Sequence, residues 1–279
     1  MTRIVITSPS YSPSIGGVVV LHKLCDILLT LGYDAYLYPF GRFAEGPYYT
    51  VNPDYKSQIL SELDLENDII IYPEIQPGNP AGVKNVVRYI LNRYHLPEYD
   101  NYMASWEDSD FWLYHDDLWY DGLQDKNILT IRETKLNYFK DLNLERDTEA
   151  CFTYRKKHHE VGNLNIIHPP DAIEIPFTIP DEELLRIFNK CKRFYSYDLE
   201  TYLSVIAVAC GCESVIVPYK DLTKEEAKVP KLGVAYGLDD LEYANQTTGK
   251  LLDEIHQADK DQYEQTDQMI KLILKHFNL

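Results

Sequence analysis

The first forty residues constrain this chain most. Arg3-Ile4-Val5-Ile6-Thr7 is a β-branched run ending in Ser-Pro-Ser, and it reads as a strand. A loop follows, Ser10 to Gly17, with the pair Gly16-Gly17 at its end. From Val18 to Leu31 the apolar residues Val20, Leu21, Leu24, Leu28 and Leu31 share one helical face, and Gly32 closes the helix. Asp34 to Pro39 reads as the next strand. A strand, loop, helix and strand in this order open a parallel sheet with helices on its faces.

The pattern recurs along the chain. Lys56–Leu63 reads as a helix, and 68–72, 85–91, 111–114 and 127–131 read as strands. The chain turns polar between about 133 and 148. The expected division is therefore residues 1–148 and 149–279. In the second part, 150–154, 165–167, 192–197 and 214–218 read as strands. Residues 180–190 and 199–209 read as helices, and 247–279 as C-terminal helices.

Composition bounds the function. The chain has 279 residues, 45% hydrophobic and 25% charged, enough for a sizeable core. Its 27 Lys+Arg against 44 Asp+Glu give a formal charge of −17. That acidity argues against nucleic acid as a partner, because a nucleic-acid binder needs a basic face. No run approaches the roughly 20 apolar residues of a membrane span, and no secretory leader is visible, so a cytoplasmic protein is expected. Peripheral contact with a membrane is compatible with this reading. Five cysteines without paired spacing, Cys25, Cys151, Cys191, Cys210 and Cys212, read as buried reduced thiols.

Three stretches could carry chemistry. Gly16 and Gly17 stand between the first strand and its helix, where glycines admit close backbone approach and the helix N-terminus attracts anions. The alternative is a plain tight turn. Arg155-Lys156-Lys157-His158-His159 follows a strand, so it would concentrate an anion such as a diphosphate at the ligand-facing end of a sheet. Its plainer reading is a solvated turn. Tyr197-Asp198-Leu199-Glu200-Thr201 joins a strand to a helix. Asp198 would cap the helix, Glu200 could accept ribose hydroxyls, and Thr201 could donate to phosphate. An ordinary cap is the alternative there. Asp108-Ser109-Asp110 matches a metal-binding Asp-x-Asp pattern, but acids are abundant and no metal is expected. His95, which follows a strand, could face a cleft or be an ordinary satisfied histidine.

Two of these stretches carry a family resemblance. Ser8-Pro9-Ser10-Tyr11 through Ile15-Gly16-Gly17-Val18 is similar to the glycine loop of GT-B glycosyltransferases. Phe194 to Thr201, followed by Ile206 to Pro218, resembles their donor-binding half. Val87 to Asn92 is similar to a segment of polysaccharide-building members. The resemblance covers about a fifth of the chain. It implies two Rossmann-like domains with parallel sheets facing a cleft. Nucleotide-sugar donor, with UDP favoured, would bind the C-terminal half and a glycan acceptor the N-terminal half. No cofactor or metal is implied. Arg155 and Lys156 would neutralise the departing diphosphate. Glu200 would hold ribose, Thr201 phosphate, and Gly17 would let the backbone reach the donor, with Tyr197 and Asp198 beside it. The Glu-x7-Glu spacing of the retaining group is absent, since Val208 stands where the second acid would be. An inverting enzyme needs a base, for which His95, Glu74 and Asp116 are candidates. The rivals are a nucleotide-sugar-modifying Rossmann enzyme, which lacks its glycine and Tyr-x-x-x-Lys motifs here, a non-catalytic sugar- or nucleotide-binding protein, and a metal-dependent transferase using Asp108 and Asp110.

Overall fold

The computed structural model describes residues 2–39, 49–91, 101–115, 127–154, 165–199, 201–218, 222–227 and 229–279. They form two compact units. The first holds residues up to Glu133 and again Asp259–Leu279, and the second holds Thr134–Ala258.

The first unit contains β1 (Ile4–Thr7), α1 (Gly16–Thr30), β2 (Ala35–Tyr38), β3 (Ile69–Pro73), β4 (Asn85–Ile90) and β5 (Phe111–Tyr114). All five strands are parallel, in the order β2-β1-β3-β4-β5. The β-branched runs predicted this, because strands covered on both faces need continuous apolar sequence. Every residue of β3 and β4 is buried. On one face, Leu24, Ile27 and Leu28 of α1 pack with Ile6, Ile71 and Val87.

The second unit contains β6 (Thr148–Thr153), β7 (Ile173–Glu174), α2 (Asp181–Lys190), β8 (Cys191–Ser196), α3 (Leu203–Ala209), β9 (Glu213–Ile216) and β10 (Ala235–Tyr236). Its sheet is also parallel, in the order β10-β9-β8-β6-β7. Numbered within each unit, the two sheets have the same order, 2-1-3-4-5. In a sheet of that order the ligand crevice lies beyond the carboxyl ends of strands 1 and 3, where the chain reverses its direction of winding. Those are β1 and β3 in the first unit, β6 and β8 in the second.

Several expectations differ from the structure. Lys56–Leu63 is not a helix. Leu37 N–H donates to Gln58 O at 2.8 Å and Leu60 N–H to Leu37 O at 3.0 Å, so the segment runs extended beside β2. Ile59 is exposed while Leu60 is buried, which is the alternation of an edge. Residues 127–131 make only an isolated bridge, Tyr114 to Ile128. The strand expected at 165–167 is instead the two-residue β7, beyond Pro169 and Pro170. The C-terminal segment is one helix, α4 (Leu241–Phe277). Its first half places Ala244, Leu251 and Ile255 in cores of the second unit. Its second half places Met269, Ile270 and Ile273 in the core of the first. The division at 148 also moves, because Leu136 and Phe139 are buried among residues of the second unit. All five cysteines are free and buried. Among the described residues no helix is long and apolar enough to cross a membrane.

Candidate functional site

The crevice of the first sheet is built by its β1–α1 loop. Gly16 and Gly17 are the first two residues of α1, not the end of the loop as expected. The first N–H groups of an α-helix have no acceptor within it, and here Ile15 provides no side-chain cap. A Cβ on Gly16 would meet nothing within 4 Å, and one on Gly17 only Leu91 Cδ1 at 3.5 Å. The protein's own packing therefore does not demand glycine at either position. His22, fully buried on α1, bonds through Nε2 to Pro9 O at 3.0 Å and holds the loop against the helix. Burial lowers its pKa.

Glu74 follows β3 directly. It is buried, and its Oε2 accepts from Leu91 N–H at 3.0 Å, just past β4. Burial pushes its carboxyl pKa up, against the pull of that N–H. One strand further, Tyr89 Oη donates to Leu129 O at 2.5 Å and lies 3.2 Å from His115 Nδ1. The hydroxyl has one proton and Leu129 takes it. His115 must therefore donate from Nδ1, which leaves Nε2 as the unprotonated nitrogen. Burial, aided by the nearby Arg132 charge, pushes the His115 pKa down to about 4. His115 is neutral at pH 7 and presents a hydrogen-bond acceptor. Its only signal in the sequence is its place at the end of an apolar strand.

Asp110 of the Asp-x-Asp pattern has another role. Its Oδ2 accepts from Arg88 Nε at 2.7 Å, and the arginine is wholly buried. The guanidinium lies 5.1 Å from the centres of both the Tyr72 and Trp106 rings. Among the described residues no group of three His, Cys, Asp or Glu is arranged to hold a metal ion.

The crevice of the second sheet is aromatic. Tyr154 follows β6 and Tyr197 follows β8, and their rings lie 4.6 Å apart. His168 stacks on Phe152 with centroids 3.9 Å apart and planes at 7°. Its Nδ1 is 2.7 Å from Tyr197 Oη. Asp198 is buried at the same strand end. It does not cap α3. Its N–H donates to Ser196 Oγ at 3.1 Å, and Ser196 Oγ donates back to Asp198 O at 2.7 Å. This turn delays the helix to Leu203, where Thr201 Oγ1 accepts from Leu203 N–H at 3.3 Å. Ser204 and Val205 N–H groups are taken by Thr201 O and Tyr202 O. The first N–H groups of this seven-residue helix are thus taken within the turn itself.

The structure thus brings Gly16, Gly17 and Glu74 to one crevice and Tyr197, Asp198 and Thr201 to the end of β8. His95, Asp116, Arg155, Lys156 and Glu200 lie outside the described residues.

Two parallel sheets of one winding order, each with such a crevice, can be compared with known folds. No family model matches the chain, and no curated protein matches it. Among solved structures it is similar to an alpha-glucosyltransferase in complex with UDP and a 13-mer DNA containing a central A:G mismatch. The two share 14% identity over 96% of this chain and 94% of that one, with a TM-score of 0.50. This chain has a GT-B-type fold. A second alpha-glucosyltransferase structure, with UDP and a 13-mer DNA containing an HMU base, matches at 14% identity. That match covers 98% of this chain and 95% of the other, with a TM-score of 0.48.

One expectation is corrected by this comparison. The charge of −17 was read as excluding nucleic acid, yet a protein of the same GT-B-type fold is solved with DNA bound. Net charge sums the whole surface, whereas an acceptor meets only the local field at its contact.

Proposed function

We propose that this chain is a glycosyltransferase that moves a sugar from a UDP-sugar to an acceptor hydroxyl. The observation that carries the reading is its likeness over nearly its whole length to a UDP-bound glucosyltransferase. The two switch-point crevices support it, since a sheet of this strand order binds its ligand there.

In this reading the donor lies at the end of the second sheet. Tyr197 and Asp198 line its base and ribose, with Glu200 on the ribose hydroxyls. Arg155, Lys156 and the Thr201 hydroxyl face the diphosphate. As the bond from the anomeric carbon to the β-phosphate oxygen breaks, the electron pair leaves with UDP, and positive charge beside it lowers the barrier. Gly16 and Gly17 admit the donor to the backbone of α1. On the acceptor side, His115 Nε2 accepts a hydrogen bond from the acceptor hydroxyl and Glu74 holds the chain beyond β4 in place. His95 and Asp116 remain candidates for the base. The transfer needs no metal ion.

The solved complex with DNA favours a DNA-borne hydroxyl as acceptor. The likeness of residues 87–92 to polysaccharide-building enzymes favours a glycan. The test is incubation with UDP-glucose and either hydroxymethylated duplex DNA or an oligosaccharide mixture, with and without chelator. UDP release that depends on one acceptor and survives chelation is the expected result. A protein that binds UDP without turnover on any acceptor would be a binding protein, and activity restored only by a divalent ion would return Asp108 to the mechanism.

A further inference from the structure

His168 belongs to none of the motifs above, yet it sits over the switch point of the second sheet. Its ring is fixed along two axes. Stacking on Phe152 sets its plane, and the 2.7 Å bond to Tyr197 Oη sets its rotation in that plane. Pro169 and Pro170 follow at once and stiffen the backbone behind it.

The hydrogen bonds also fix its tautomer. Tyr197 Oη accepts from Ile167 N–H at 3.1 Å. Its own proton has one acceptor among the described residues, His168 Nδ1. The imidazole therefore carries its hydrogen on Nε2, at the opposite edge of the ring. No protein group among the described residues takes that N–H. The result is a neutral donor held in one orientation, with its ordering entropy already lost before any ligand arrives.

We propose that His168 is a further donor-site contact, its Nε2–H binding an oxygen of the nucleoside diphosphate at the β6/β8 switch point. The inference rests on the transferase reading and assigns that reading a residue it did not contain. The contact adds to UDP affinity and needs no charge on the ring at neutral pH, because burial lowers the His168 pKa while Glu174 opposes the shift. Among the described residues the other titratable groups against the ring are Tyr154, Tyr195 and Tyr197, and burial raises the pKa of Tyr154 and Tyr197.

Calorimetry with UDP on wild type, His168→Phe and His168→Gln decides the matter, with melting temperature recorded beside it. Phenylalanine keeps the stack on Phe152 and removes the N–H. It should melt near wild type and bind UDP about tenfold more weakly, the loss of one hydrogen bond to a charged oxygen. Glutamine restores a donor and should recover part of the affinity. Equal UDP affinity in wild type and a folded His168→Phe overturns the contact while leaving the transferase reading intact. A wild type that does not bind UDP overturns both. Should His168→Phe fail to fold, His168→Gln and His168→Met read the same contact, since glutamine keeps an N–H donor and methionine does not. UDP should then bind His168→Met more weakly than His168→Gln, and equal UDP affinity in wild type and both folded variants would overturn the contact.

Discussion

The two sheets share one winding order and differ in what their crevices are made of. The first ends in titratable groups, the buried Glu74 and Tyr89 and the half-buried His115, with the buried pair of Arg88 on β4 and Asp110. The second ends in stacked neutral rings, Phe152, Tyr154, His168 and Tyr197. Burying a charge or a proton-sharing group costs free energy that only fixed hydrogen bonds offset. Stacked rings pack without that cost and offer flat faces to a ligand. The same topology thus gives one unit a crevice sensitive to pH and the other a crevice suited to an aromatic ligand.

Removing the buried ion pair should break the first region most. Asp110→Ala leaves the wholly buried Arg88 without its counter-charge and should cost about 3–5 kcal/mol in urea unfolding. An effect below about 1 kcal/mol would mean that the guanidinium reaches water in solution.

The second unit should be most sensitive away from its crevice, at the opposite end of β9. Gly211 has φ +81°, and a Cβ there would overlap the Arg146 guanidinium and the Asp141 carboxylate. Arg146 also holds Cys191 O at 2.8 Å and Cys210 O at 2.6 Å. Gly211→Ala should therefore destabilise by about 1–3 kcal/mol. An unchanged melting temperature would show that this turn tolerates rearrangement.

Acid should separate the regions next. An unfolded chain protonates His115 near its ordinary 6.5, but the folded protein takes that proton only near about 4. Between those values the unfolded state binds more protons, so stability falls as pH drops from 6.5 towards 4 and levels below. His115→Asn should flatten that part of the pH profile. If wild type is as stable at pH 5 as at pH 7, the folded protein does not hold the His115 pKa down.

The smallest effect on stability belongs to Gly17. Alanine there meets only Leu91 at ordinary distance, so Gly17→Ala should change stability by less than about 0.5 kcal/mol. Its UDP affinity should fall several-fold. Unchanged affinity would free the β1–α1 loop from the donor site and sharpen the contrast in favour of the aromatic crevice.

Much of this was legible in the sequence, and for definite reasons. Buried parallel strands need runs such as Ile69-Ile70-Ile71, and a helix on a sheet needs the spacing of Leu21, Leu24 and Leu28, so the alternation of strand and helix is written locally. The glycine pair was visible because no other residue so frees a backbone. The role of Asp110 was not legible, because two acids one residue apart look alike whether they face solvent or a buried arginine. His168 was illegible for the opposite reason, since its neighbours in sequence are two prolines and its neighbours in space come from β6 and β8. The acidity of −17 is fully determined by the sequence, yet it did not determine the partner, because charge acts through its distribution. What the sequence alone fixed is which segments pair with water and which with the core. Only the tertiary structure decided the strand order, and with it the two switch points. It also decided which polar atoms meet there, and those hydrogen bonds set the tautomers of His115 and His168.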